Sequence, residues 1–166
     1  MISSYTRLHR NISATKAKVC GQYVNSVLAK RDAKLNGCDE AILLDTEGFV
    51  AEGTGENLFL VKDGIVLTPH LGSILPGFTR DTIMKLCKDE GIEIVQEQLI
   101  RDDLYNADEV FLTGTAAEVT PVREVDGRAI GIGKPGPITL KLGAKYQDVV
   151  HGRTPKYKEW LHFIER

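Results

Sequence analysis

Glu52-Gly53-Thr54-Gly55-Glu56-Asn57 places two carboxylates and an amide between glycines, just before the apolar run Leu58-Phe59-Leu60-Val61. The flanking residues read as a hairpin: Glu40 to Asp45 a buried strand, Thr46-Glu47-Gly48 a turn, and Phe49-Val50-Ala51 the returning strand. Glu52 and Glu56 are then expected at a strand end and in the loop beyond it, where scaffolds tend to carry chemistry. Composition alone favours plain solvated acids at such a place, so the stretch gains meaning only from what accompanies it. Lys16 and Lys18 precede a helix; either is ordinarily solvated, and chemistry alone does not separate them. Leu75-Pro76-Gly77-Phe78-Thr79-Arg80-Asp81 opens a second helix, with Thr79 the expected N-cap and Asp81 in the first turn. A helix N-terminus entered through glycine suits an anion, and simple capping explains it equally well. Gly114-Thr115-Ala116-Ala117 ends a strand with small residues that let a ligand approach backbone amides, or that merely make a tight turn.

The elements that must position these residues follow in order. Residues 1–15 are polar and read as an irregular, linker-like segment. The first helix is expected to bury Val24, Val27, Leu28 and Leu35 and to stop at Gly37. Leu58–Val61 and Ile65–Thr68 form a hairpin about Lys62-Asp63-Gly64. Ile83, Leu86 and Cys87 give the second helix its apolar side, and Gly91 ends it. Ile92–Val95 and Glu109–Thr113 are strands, with a short helix near Leu104 between them. Glu118–Val122 resumes an extended run, a further hairpin turns at Val125–Arg128, and 138–150 is a closing helix. Trp160, Leu161, Phe163 and Ile164 should dock the tail onto the body.

The 166 residues suffice for one domain with a real core. With 42% hydrophobic and 27% charged residues and a formal net charge of -2, nothing points to nucleic acid or to an anionic membrane surface. No apolar run approaches the roughly 20 residues that span a bilayer. The N-terminus has no apolar signal region. Cys20, Cys38 and Cys87 are odd in number and far apart, which fits a reducing cytoplasm rather than a disulfide framework. His9, His70, His151 and His162 show no metal-ligand spacing, so no metal is expected.

Four segments occurring in order carry a resemblance: Lys18-Val19-Cys20-Gly21-Gln22-Tyr23, Glu52 to Phe59, Leu75 to Arg80, and Gly114 to Pro121. Together they resemble the large domain of branched-chain amino-acid aminotransferases, pyridoxal 5'-phosphate (PLP) enzymes of fold type IV. The resemblance implies a mixed α/β fold, a pseudo-barrel of largely antiparallel strands with outer helices. It implies that 16–166 is the PLP-binding large domain and 1–15 an interdomain-linker-like segment. By the same resemblance, Lys18 rather than Lys16 would form the Schiff base and shuttle the substrate's α-proton. Glu52 would pair with the pyridine nitrogen, and Tyr23 would hydrogen-bond the phenolic oxygen. Phe78 and Thr79 would hold the phosphate, with a further contact from Thr115, and the turn at Thr115-Ala116 would receive the substrate carboxylate. Glu56-Asn57 would order the loop.

The reaction so implied moves an amine from leucine, isoleucine or valine to 2-oxoglutarate, with PLP as the electron sink. The resemblance also implies a homodimer or larger homo-oligomer in the cytoplasm. Sister enzymes, the D-amino-acid aminotransferases and aminodeoxychorismate lyases, would share Lys18 and Glu52; the Gly55-Glu56-Asn57 wording favours the branched-chain group. Cys20 and Gln22 stand where relatives often have Gly and Asn. The family's N-terminal small domain, which brings an arginine to the phosphate and much of the side-chain pocket, has no counterpart here. The chain is therefore expected to be a fragment or a shortened product with an apolar surface exposed. The alternative from another class is a non-catalytic domain that binds PLP poorly.

Overall fold

The computed structural model describes residues 1–164. Within them the chain runs β1 (Ile2–Thr6), a 3-10 turn at Cys20–Gln22, α1 (Tyr23–Leu35), β2 (Ile42–Leu44), β3 (Val50–Gly53), β4 (Asn57–Lys62), β5 (Ile65–Pro69) and α2 (Phe78–Asp89). It continues through β6 (Ile94–Glu97), α3 (Arg101–Tyr105), β7 (Glu109–Gly114), β8 (Glu118–Val122), β9 (Glu124–Val125), β10 (Arg128–Ala129) and α4 (Pro137–Val150) to a 3-10 segment at Pro155–Trp160.

Eight strands make one sheet that curls because β4 is a branch point. Its one edge pairs β7 from Asn57↔Thr113 to Val61↔Glu109. Its other edge takes β3 only at Asn57↔Glu52, and β5 only from Leu60 onward. β3 and β5 thus diverge, and the sheet turns away from a plane. β1–β2 and β5–β6 pair in parallel; the other pairs in this sheet are antiparallel. This is the mixed α/β pseudo-barrel that the motifs imply.

Alternation along β4 supplies two cores. Leu58 and Leu60 face the inside of the curl with Ile42, Leu44, Val50, Leu104, Val110 and Leu112. Phe59 and Val61 face out, where Ile83, Leu86 and Cys87 of α2 and Leu142, Tyr146 and Val149 of α4 cover them. Phe59 and Phe111 stack with ring centroids 5.0 Å apart. The carboxylate of Glu109 on β7 anchors α4, accepting the N–H groups of Ile138 (3.0 Å) and Thr139 (2.7 Å).

Four expectations need correction. The polar start contains a strand: Ile2 is buried, and β1 pairs with β2 through Ile2↔Ile42 and Thr6↔Leu44. Its adjacent serines, Ser3 and Ser4, hid a partner that is distant in sequence. α1 ends at Asn36 and Gly37 (φ +76°), as expected, but packs through Ser26, Ala29 and Ala33 onto Ala41 and Leu43. Small side chains allow the helix close to β2, and Val24, Val27, Leu28 and Leu35 are left exposed. The N-cap of α2 is Gly77, not Thr79, because the helix begins one residue earlier at Phe78. In the tail, Tyr157 is the buried anchor: its hydroxyl donates to Asp89, and Trp160 packs on its ring. Phe163 and Ile164 are exposed.

Candidate active site

Glu52 sits near the end of β3 with its carboxylate turned into a cleft, and only 5% of the residue is exposed. Oε2 accepts from the Asn57 side-chain amide (3.0 Å) and from the Leu75 backbone N–H (3.1 Å). Oε1 lies 2.6 Å from Arg7 Nε. That contact is close but poorly directed, since Arg7 Nε has no well-aligned acceptor. Burial pushes the Glu52 carboxyl up to about 7, against the opposing pull of Arg7, the Leu75 N–H and Lys18.

Lys18 enters the same cleft from the loop before α1, and Lys16 is not among the residues lining it. Lys18 Nζ donates to the Tyr23 hydroxyl at 2.9 Å. Gln22 Nε2 fixes the loop by donating to Ala14 O (3.2 Å), and Asn25 Nδ2 ties α1 to the end of β1 through Thr6 O (2.7 Å). Lys18 and Tyr23, from one stretch at the start of α1, and Glu52, from β3, therefore share one opening.

The loop Gly53–Glu56 forms the rim. Gly53 N–H donates to Glu56 O at 2.7 Å, closing the turn. Below it, Glu40 binds the Lys30 ammonium, the Thr54 hydroxyl (2.6 Å) and the Ala41 N–H (2.8 Å). Burial alone would raise the Glu40 carboxyl, but these donors outweigh it and hold it down. Glu56 is pushed up, first by burial and then by the negative Glu40 beside it. Glu56 Oε2 accepts the Gly55 N–H at 3.0 Å, and the residue also lines the cleft.

Thr79 is buried and Phe78 almost fully exposed, at the first turn of α2; Thr115 and Ala116 are exposed in the β7–β8 turn. Phe78, Thr79 and Thr115 line a hollow of their own, adjacent to Tyr146 and Trp160, rather than the Lys18 cleft. The two regions are joined through Asn57. Its amide donates to Glu52 Oε2 and to Leu75 O (2.8 Å), and its Oδ1 abuts Gly77, where an added Cβ would come within 2.2 Å. The β7–β8 turn is seated on the rim, with Gly114 against Gly55 O. Since Gly77 has no side chain, the Phe78 and Thr79 amides are uncapped.

Arg7 and Leu75 complete the cleft, and reasoning from the sequence passes over both as participants. Leu75 acts through its backbone, which no residue type reveals. Arg7 stands in a polar segment without periodicity; the signal there is an arginine just after a short run of strand formers, with Arg10 close behind it. Arg80 is also buried, but it serves the scaffold, bonding Pro69 O (3.0 Å) and Gln96 Oε1 (2.9 Å).

A curled mixed sheet with a lysine, a tyrosine and a buried glutamate converging at its edge defines a class before it defines a protein. A family model described as amino-transferase class IV matches residues 1–125, and the chain belongs to that family. The chain is 54% identical over 163 residues to the branched-chain-amino-acid aminotransferase of Pseudomonas aeruginosa, covering 98% of this chain and 53% of that protein. It is 47% identical over 167 residues to the enzyme of the same name in Escherichia coli K12, covering 100% of this chain and 54% of that one. Among solved structures, the T.th. branched-chain amino acid aminotransferase complexed with N-(5'-phosphopyridoxyl)-L-glutamate superposes with a TM-score of 0.97 at 51% identity, over 99% of this chain and 56% of that one. The chain spans about half the length of the curated relatives it matches.

Proposed function

We propose that this chain is the cofactor-binding portion of a PLP-dependent aminotransferase that moves the amine of branched-chain L-amino acids to 2-oxoglutarate. The single observation that carries the reading is the convergence of Lys18, Tyr23 and the buried Glu52 carboxylate in one cleft. The residues present fit PLP. Oε1 of Glu52 has room for one more donor, as a protonated ring nitrogen requires. The uncapped amides of Phe78 and Thr79 suit a phosphate, and α2 adds the positive end of its dipole. When bound, PLP supplies the electron sink for the carbanion formed at the amino acid's α-carbon.

The chain's own residues would do the rest. Lys18 Nζ would hold the cofactor and would move the proton at the substrate α-carbon. The Tyr23 hydroxyl, already bonded to Lys18 Nζ, orients that amine and the ring's phenolic oxygen. Glu52 would hold the ring nitrogen. Phe78, Thr79 and Thr115 would hold the phosphate, and the amides at Thr115-Ala116 would receive the substrate carboxylate. The choice of substrate class is supported by relatives: one solved neighbour is complexed with 4-methylvaleric acid, the carbon skeleton of leucine without its amine. We also place the enzyme in a reducing compartment, supported by three free cysteines. We propose a homo-oligomer, supported by the apolar side chains that α1 leaves exposed. No helix among the described residues is long and apolar enough to cross a membrane.

The test is a visible spectrum with added PLP, followed by borohydride reduction, peptide mapping and turnover with leucine and 2-oxoglutarate. One phosphopyridoxyl group on Lys18 is expected, and Lys18→Ala should abolish it. Labelling scattered over surface lysines, or confined to Lys16, would overturn the assignment.

A further inference from the structure

Arg7 leaves β1 at a point fixed on two sides. Its backbone N–H donates to Leu44 O at 2.7 Å, and the preceding Thr6 carbonyl accepts from Asn25 Nδ2 at 2.7 Å. From there the side chain runs inward, 8% of the residue remaining exposed, until Nε reaches Glu52 Oε1 at 2.6 Å. Glu52 Oε2 spends its acceptor capacity on Asn57 and Leu75. Among the described residues Oε1 meets only Arg7, which leaves it a lone pair. The charged groups that act on Glu52 are Arg7 from the end of β1, Lys18 from the loop before α1 and, more remotely, Arg80 from α2. Arg7 exerts the strongest of these pulls, and it is the one in contact.

We propose that Arg7 is a positioning residue for the reaction: it stations its guanidinium against Oε1 of Glu52 at the cleft and favours the carboxylate's anionic form, so that a ring nitrogen seated there keeps its proton. This rests on the PLP reading above. One proton is shared between Oε1 and the nitrogen. With Arg7 beside it, Oε1 accepts and the nitrogen carries the proton. Without Arg7, a carboxyl this deeply buried takes the proton back, the ring becomes neutral, and its capacity to accept electrons falls.

The test uses the full chain with Arg7→Gln and Arg7→Lys, folding being checked by circular dichroism. Without PLP, carbonyl infrared or carbon NMR follows the Glu52 carboxyl, assigned by its loss in Glu52→Gln. Its midpoint should rise by about 1–3 pH units in Arg7→Gln and by less in Arg7→Lys. With PLP labelled at the ring nitrogen, the wild-type nitrogen NMR shift should report a protonated ring at neutral pH. Arg7→Gln should move that shift towards the unprotonated position while the adduct on Lys18 persists. Arg7→Lys, which keeps the cation, should restore it, and any turnover should lose kcat with KM little changed. A wild-type adduct on Lys18 with a nitrogen shift unmoved in Arg7→Gln would overturn the role of Arg7 alone. A wild type that takes no adduct on Lys18 would overturn the PLP reading, and the role of Arg7 with it. Should Arg7→Gln fail to fold, Arg7→Lys decides: a neutral ring nitrogen there would overturn the proposal, and a protonated one with the carboxyl midpoint still raised would support it.

Discussion

A carboxyl raised by burial from 4.5 to about 7 makes Glu52 a stability switch with a definite sign. Between those values the folded chain binds a proton that the unfolded chain releases. The associated stability is complete below about pH 4.5 and is lost as pH rises through 7. The size is about 3.5 kcal/mol at most, from roughly 1.4 kcal/mol for each pH unit between the two values. Denaturant titrations of wild type and Glu52→Gln at pH 5 and pH 8 should therefore differ: wild type loses that stability relative to the variant on going to pH 8. A stability difference that is the same at both pH values would show that Glu52 does not titrate in this window. At this scale the sequence was informative only where a residue's type and its neighbours together named a role. Glu52 stood out because Gly53, Gly55 and Asn57 surround it. Arg7 did not, since its importance comes from a side chain crossing to a strand forty-five positions away in the sequence.

At the scale of elements, the hairpins were legible because their turns are chemically marked. Lys62-Asp63-Gly64 joins β4 to β5, and Asp126-Gly127 joins β9 to β10, as expected. The buried face of α1 differs from the expected one for a physical reason: side-chain size ranks Val24, Val27 and Leu28 above Ala29 and Ala33, whereas close packing on β2 selects the small residues. The start of α2 shows how one element holds another. Asn57, at the head of β4, bonds Glu52 and Leu75 and rests against Gly77. In Gly77→Ala the new methyl would lie 2.2 Å from Asn57 Oδ1. Either Asn57 rotates and releases Glu52, or the first turn of α2 moves. The expected cost is about 1–3 kcal/mol of stability, as for overpacking elsewhere. A clear loss of PLP affinity should accompany it, read by thermal unfolding and by PLP titration. Wild-type values of both would show that the contact is relieved without consequence and that Asn57 does not couple the two regions.

For the whole molecule, the sheet's curl puts α2 and α4 on one flank and α1 on the other, and the two flanks are unequally finished. α2 and α4 bury one another's apolar sides against Phe59 and Phe111. α1 faces outward with Val24 (64% exposed), Val27 (61%) and Leu28 (42%), a stripe at helical spacing. That stripe adjoins the site. Tyr23 and Ser26 line both the Lys18 cleft and the apolar groove beside Val27, and Thr54 and Gly55 of the rim border both. Covering the stripe and walling the cleft would thus be a single event. If the proposed self-association uses this face, Val27→Lys with Leu28→Lys should reduce it without touching the fold, because neither side chain is buried. Stability should stay within about 0.5 kcal/mol of wild type, as for surface changes away from packed features. Sedimentation velocity over a concentration series is the measurement: wild type should show a concentration-dependent heavier species, and the double variant should remain monomeric. An unchanged distribution in the double variant would place the contact elsewhere on the surface. In that case Phe78, 90% exposed beside Thr79, becomes the next residue to replace.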